Sequence, residues 1–384
     1  HTALMCSIPD FEDAVVDETI QSPIRFGRIE LKNRIIFAPT TFGVSQEEYI
    51  EKIRKIAAGG CAMIIIGDVP VCKGGFGISL YTKKGFAFYQ TLAETVHTYH
   101  CKICAQLHQS DSDWKVMVRC VPGVLLKRIS MDDLRIKLQE AVSPYITNMP
   151  LKKVRKITKS FGTAAKLAQQ AGFDMVQVHG DRMCGSFASA VYNHRQDAYG
   201  GTLKKRARFL LEAVSAVRKA IPEISIDVKL PIRMGQYGKA GFLQEDLSVI
   251  LPLLERAGAD SFHVTLANHD DLENTIPPAN HVAFGQEGCF LPFCDAVKQY
   301  TKKPVCGVGG LTQPDFVEQQ LKSGRIDCAA MSRQLLADSD WPKKVMAGEV
   351  NQIRHCVRCN RECLGGLQRH TGTHCIYEKG AKSV

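Results

Sequence analysis

Four cysteines crowd the end of the sequence as C-x2-C-x3-C-x11-C, at Cys356, Cys359, Cys363 and Cys375. Three thiolates within eight residues can wrap a compact iron–sulfur cube while a fourth arrives from a loop, so the spacing points to a [4Fe–4S] cluster. A four-thiolate zinc site usually pairs two C-x2-C knuckles, and the second knuckle is missing here. Arg354, Arg358 and Arg361 lie among the thiols, where they either offset cluster charge or face solvent. Gly309-Gly310 and Ser332-Arg333 each follow a late apolar run. Glycines let backbone N–H groups approach phosphate oxygens and an arginine adds a charged fork, so the two pairs read as a phosphate site; one tight turn alone would say little.

Other polar residues sit where apolar runs end. His179 closes VQVH, with Arg182 three residues on. Lys229 lies inside DVKL, where a buried cation is costly unless it faces an anion such as a reduced flavin or a phosphate. Asn268-His269 follows a further run, and an imidazole there could donate a proton near neutral pH or sit exposed beside Asp270 and Asp271.

These residues need a scaffold, and the apolar pattern supplies one. Short, nearly continuous apolar runs recur at 34–40, 61–69, 103–108, 173–180, 225–230, 260–267, 304–310 and 326–333. Such runs suit parallel strands buried on both faces. Helical stretches alternate with them at 45–58, 154–170, 203–220, 244–256 and 313–322, several stopping at a glycine such as Gly59, Gly172 or Gly258. Eight strand–helix units predict an α/β fold, a (β/α)8 TIM barrel, with a C-terminal cluster-binding extension. An open doubly wound sheet is the runner-up, weakened by the lack of GxGxxG after the early strands. The stretch 109–150 interrupts the rhythm after the third strand and falls on the active face. The expected division is a barrel over 1–340 and an extension over 341–384.

Composition narrows the class. Of 384 residues, 45% are hydrophobic and 23% charged, unlike a disordered chain. The net charge of +10 is scattered between acids, so no nucleic-acid arm is expected. No apolar run approaches the roughly 20 residues of a membrane span. Asp10, Glu12, Asp13, Asp17 and Glu18 are the wrong charge for a signal peptide, so a cytoplasmic protein is expected. Of the 15 cysteines, 11 are dispersed, many inside apolar runs (Cys61, Cys104, Cys306, Cys328). That favours reduced thiols plus one metal site over a disulfide framework.

Longer motifs carry a family resemblance. LKNRIIFAPTT, AGFDMVQVHG, NHRQDAYGGTLKKRARFLLEAV, PVCGVGGLTQPDF and DCAAMSRQLLADSDWPKKV together resemble the old yellow enzyme family over about 23–375. The cysteine spacing is similar to its cluster-bearing branch, which includes 2,4-dienoyl-CoA reductase, bile-acid enoate reductases and trimethylamine dehydrogenase. The resemblance implies FMN at the barrel top, with Pro39, Thr40 and Thr41 beside its ring and Gly67 and Gln106 at the polar edge. It also places Lys229 near N1, and Gly309, Gly310, Ser332 and Arg333 at the phosphate. His179 would bind a substrate oxygen.

Three departures bear on catalysis. Arg182 stands where the family has a second His or Asn, and Cys184 where it has a proton-donating Tyr. His269 matches the dienoyl-CoA reductase active-site His and is the substitute donor, alongside a Tyr from 109–150. The downstream FAD- and NADH-binding domains of that branch are not expected in this sequence, and Ile376-Tyr377 follows the last cysteine instead of Asn-Pro.

The expected activity is ene-reduction of an α,β-unsaturated carbonyl compound or carboxylic acid in an anaerobic cytosol. Arg182 favours the carboxylate. Electrons would come from NAD(P)H, or from ferredoxin or flavodoxin by way of the cluster. Expected partners are a small unsaturated molecule and an electron-donor protein, with homo-oligomerisation left open. The rivals are an amine dehydrogenase of the trimethylamine dehydrogenase type and a non-catalytic electron-transfer subunit.

Overall fold

In a computed structural model, eight parallel strands close into one barrel. The structure describes residues 19–74, 77–267 and 271–378. The barrel strands are β1 (Ile35–Thr40), β2 (Met63–Pro70), β3 (Lys102–His108) and β4 (Met175–His179). They continue as β5 (Ser225–Ile232), β6 (Ser261–Leu266), β7 (Val305–Gly307) and β8 (Cys328–Met331). Each strand pairs with the next, and β8 returns to β1 through Ala329 opposite Ile35. The predicted (β/α)8 architecture is therefore present, and the open sheet is excluded by that closing pair.

The eight runs are apolar throughout because they have two sides to bury. One face packs on the helices, as with Ile64, Ile103, Val176 and Phe262. The other fills the barrel, where Ile36, Met63, Ile65, Cys104, Met175, Cys306 and Cys328 pack together. A short antiparallel hairpin, Ile24–Phe26 with Ile29–Leu31, closes the lower end of this inner core with Phe26 and Leu31. Gly27 at its turn has φ +57°, and a Cβ there would lie 2.7 Å from Ser225 Oγ. Among the described residues the dispersed cysteines other than the half-buried Cys72 are thus small buried hydrophobes.

Helix limits follow the predicted pattern, with two adjustments. The first long helix, Gln46–Ala58, is capped by Ser45, and it is Gly60, at φ +99°, that takes the left-handed turn; Gly59 stays right-handed. The stretch 109–150 is no long loop but two helices, Trp114–Leu125 and Met131–Thr147. Asp113 caps the first, and Ser130 and Asp133 form a reciprocal capping box on the second. The second helix is tied down at its end by Arg195, whose Nη1 donates to Ile146 O at 2.8 Å and Met149 O at 2.7 Å.

The chain after β8 is laced across the barrel mouth. Trp341 is fully buried and its indole donates to Thr312 O at 2.9 Å. Gln334 exchanges hydrogen bonds with the segment before the cysteines, accepting from Cys356 N and donating to Arg354 O. Thr373 N then donates to Phe42 O at 2.7 Å, and its hydroxyl to Thr41 O at 2.8 Å. The cysteine segment is so fixed between the loops after β1 and β8. Among the described residues no helix is long and apolar enough to cross a membrane.

Candidate active site

A cavity of about 330 Å3 opens at the C-terminal ends of the strands. Every residue picked from the sequence for a flavin lines it. Pro39, Thr40 and Thr41 come from the end of β1, Gly67 from β2, Gln106 from β3 and Lys229 from β5. Gly309, Gly310, Ser332 and Arg333 come from the last two strand ends. His179 and Arg182 line the same space. Cys184 does not: it is buried in the helix Met183–Ala188, outside the cavity lining, with its thiol pushed well up by burial. His269 lies outside the described residues.

The glycine pair has a specific geometry. Gly309 has φ +117° and Gly310 φ +65°, conformations that strain any other residue. A Cβ on Gly309 would meet Phe290 Cδ2 at 2.8 Å, and one on Gly310 would meet Arg358 Nη1 at 2.5 Å. This is a cradle of bare backbone beside a guanidinium, as a phosphate needs. Ser332 shares a 2.7 Å hydroxyl contact with Thr40, and Arg333 donates to Pro277 O at 2.9 Å and Asn360 Oδ1 at 2.7 Å.

The opposite wall is charged. Arg182 sits at φ 55°, ψ −127°, capping its short helix with strained backbone that costs about 1–3 kcal/mol. Its own N–H donates to Asp181 Oδ1 at 2.8 Å, while its guanidinium has no hydrogen bond or ion pair among the described residues. Lys229 is likewise without one, and burial pulls its pKa down against the pull of Asp181 and Asp68. Among the described residues neither cation is in a hydrogen bond or close ion pair, although Asp68 and Asp181 lie near enough to act on them, so their donors remain open to an anionic ligand.

Several site residues were not anticipated. Asp68, at φ 53°, follows Gly67 and accepts from Thr41 Oγ1 at 3.1 Å. Burial raises its carboxyl, but His108, Arg182 and Lys229 together hold it below the usual carboxylate range. His108 ends β3 just as His179 ends β4, the rings 5.6 Å apart, and burial keeps His108 below its ordinary value. The strand-end argument that singled out His179 applied equally to His108.

Beneath them runs a polar layer across the barrel. Gln106 accepts from Asp68 N and donates to Gln177, which donates to Asp227 at 2.6 Å; Ser261 donates to the other Asp227 oxygen at 2.5 Å. This chain fixes the Gln106 amide at the cavity floor. His263, opposite Lys229 on β6, is buried at the same level, and its Nδ1 has no hydrogen-bond partner. Lying within an apolar strand run, it gave no signal in the sequence.

Burial first and Lys229 second push the His263 pKa down to about 3. An unfolded histidine takes up its proton near 6.5, so the unfolded state binds a proton that the folded state refuses. The His263 contribution is complete above pH 6.5 and falls as the pH drops toward 3, by about 2 kcal/mol between pH 6.5 and 5. Urea titrations at both pH values should show that His263→Asn has lost most of this slope. An unchanged slope would remove His263 as its source.

The four cysteines surround a second, smaller cavity. It shares Arg333, Leu336, Cys356 and Cys363 with the first, so the two spaces adjoin. Burial raises the thiols of Cys356, Cys363 and Cys375. Among the described residues no set of three Cys, His, Asp or Glu side chains converges as a single metal ion requires.

A family match over residues 19–352 gives the class: the chain belongs to the NADH:flavin oxidoreductase / NADH oxidase family. It is 56% identical to a bilirubin reductase of Clostridium symbiosum over 370 residues, covering 96% of this chain and 99% of that one. A bilirubin reductase of Mediterraneibacter gnavus is 34% identical over 92% of this chain, which spans 56% of that longer relative. Among solved structures, a 2-naphthoyl-CoA reductase complex superposes with a TM-score of 0.77 at 21% identity, covering 94% of this chain and 57% of that one. That last likeness concerns the fold.

Proposed function

We propose that this protein reduces a carbon–carbon double bond in an unsaturated substrate bearing a carboxylate, with bilirubin the first substrate to test. The observation that carries the reading is the Arg182 guanidinium, without a hydrogen bond or ion pair among the described residues and held on strained backbone at a cavity it shares with His179 and Lys229. The full-length likeness to a bilirubin reductase supports the choice of substrate.

The residues fit FMN. The glycine cradle and Arg358 suit its phosphate, and Lys229, Gln106 and the open Nδ1 of His263 suit the polar edge of a ring. When bound, FMN supplies the hydride for the alkene. Arg182 grips the substrate carboxylate and sets its distance from the ring. His179 donates to a substrate oxygen and polarises the double bond. Lys229 supplies positive charge where the reduced cofactor is anionic. For the final proton donor we propose His269, with a Tyr of 109–150 as the alternative.

Cys356, Cys359, Cys363 and Cys375 would hold a [4Fe–4S] cluster. A cube takes each thiolate on a separate iron and asks for a wider ring than a single ion, which agrees with four sulfurs lining one cavity without converging. Such a cluster supplies one-electron exchange with ferredoxin, flavodoxin or an NAD(P)H-dependent donor.

The test is anaerobic. The dithionite-reduced, cofactor-loaded protein is mixed with bilirubin and its visible spectrum followed. Return of oxidised flavin bands with loss of the bilirubin band is expected. Flavin that stays reduced while a redox protein reoxidises it would favour the relay reading instead.

A further inference from the structure

A cavity of about 330 Å3 is what one drug-sized ligand fills. A flavin and a bulky substrate together need more room. A second chamber of about 220 Å3 adjoins the first, and Arg182 and Leu272 line both. Its outer wall is the insertion helix Met131–Thr147, which contributes Arg135, Leu138, Gln139 and Val142. A substrate that reaches past Arg182 therefore arrives beneath this helix.

Charge says what part of a substrate it meets there. Of the acids around the chamber, Asp111 is buried and accepts from Ser186 Oγ at 2.6 Å, and Asp271 accepts from Glu273 N at 2.9 Å as a helix cap. Both are committed to the fold; Glu273 faces the chamber as an acceptor. Arg135 is committed to little. Its one ion pair among the described residues is a 3.7 Å contact with Asp132, whose side chain is 87% exposed. A contact of that kind contributes little and yields readily to a better partner.

We infer that the chamber takes the end of the substrate remote from the reacting bond, through a second carboxylate held by Arg135. The substrate class is then an elongated dicarboxylate, with Arg182 gripping one carboxylate and Arg135 the other. This rests on the reading of Arg182 as the carboxylate anchor, and it makes Arg135 a specificity-determining residue on an element that contributes nothing to the flavin cavity.

The inference is tested by binding, apart from turnover. Bilirubin, which carries two propionates, and its dimethyl ester are each titrated by equilibrium dialysis against the oxidised, cofactor-loaded wild type and against Arg135→Ala and Arg135→Gln. Both variants sit on an exposed helix position and should fold. The expected result is a Kd for the diacid raised about tenfold in both variants, with the ester unaffected. An unchanged Kd for the diacid, or an equal rise for the ester, overturns the Arg135 assignment even if bilirubin is reduced. Tight, Arg135-dependent binding without reduction would instead overturn the activity and leave the subsite standing. Failure of the wild type to bind the diacid overturns both.

Discussion

Arg182→Ala is expected to lower kcat/KM for an unsaturated carboxylate by roughly a hundredfold, while the matching ester loses only a few-fold. Two parallel charge-assisted hydrogen bonds to a carboxylate contribute about 3 kcal/mol together, and an ester carbonyl can use only part of that fork. Arg182→Lys should fall between, because an ammonium lacks the planar pair of donors. Retained flavin absorbance would show that the cofactor site is intact, since the guanidinium has no fold-internal partner among the described residues to lose. The backbone argues in the same direction. Position 182 has φ 55° in any variant, so Arg182→Gly should be more stable than Arg182→Ala yet just as inactive. Equal losses on acid and ester would refute the carboxylate role. Loss of flavin from Arg182→Ala would move the residue into the cofactor site.

The barrel was legible because burial on both faces leaves no freedom in a strand's composition: all eight apolar runs became strands, with β8 closing on β1. The glycine loops at the cavity were legible for a related reason. Gly309 and Gly310 occupy positive φ against Phe290 and Arg358, a condition only glycine meets, and it shows as a bare pair after an apolar run. The inner polar layer was not legible. Gln177, Asp227 and His263 lie within strands, and a near-continuous run does not show which residues point into the barrel. The insertion helices were hidden by Pro122, Gly123 and Pro144, which break a helical pattern although capping and tertiary packing hold the helices. Arg182 was seen as a residue but not as a conformation, because its left-handed backbone is imposed by the turn into Met183–Ala188.

Removing one of the four cysteines proposed to hold the cluster is the second large effect. Cys359→Ala and Cys375→Ala should each abolish bound iron and sulfide, from about four of each per chain, and with them the broad brown absorbance. These two are the informative positions because they line only the cysteine cavity, whereas Cys356 and Cys363 also line the larger cavity proposed for the flavin. Flavin content should therefore survive the first pair and fall with the second. A control is Cys294→Ala, buried in the helix Leu291–Lys298 and outside both cavities, which should keep its iron. Acidity should act as mutation does. Burial holds the bare thiols of Cys356, Cys363 and Cys375 protonated at neutral pH, so iron must displace protons to bind and is released as the pH falls. The tail itself has other moorings: Thr373 to Phe42 and Thr41, Gln334 to the segment at Cys356, and Trp341 to Thr312. It should accordingly stay docked when the cluster is gone, with more proteolysis confined to the region around Cys359. Iron retained by both variants, or zinc in a colourless wild type, would leave the four thiols without the redox role assigned to them.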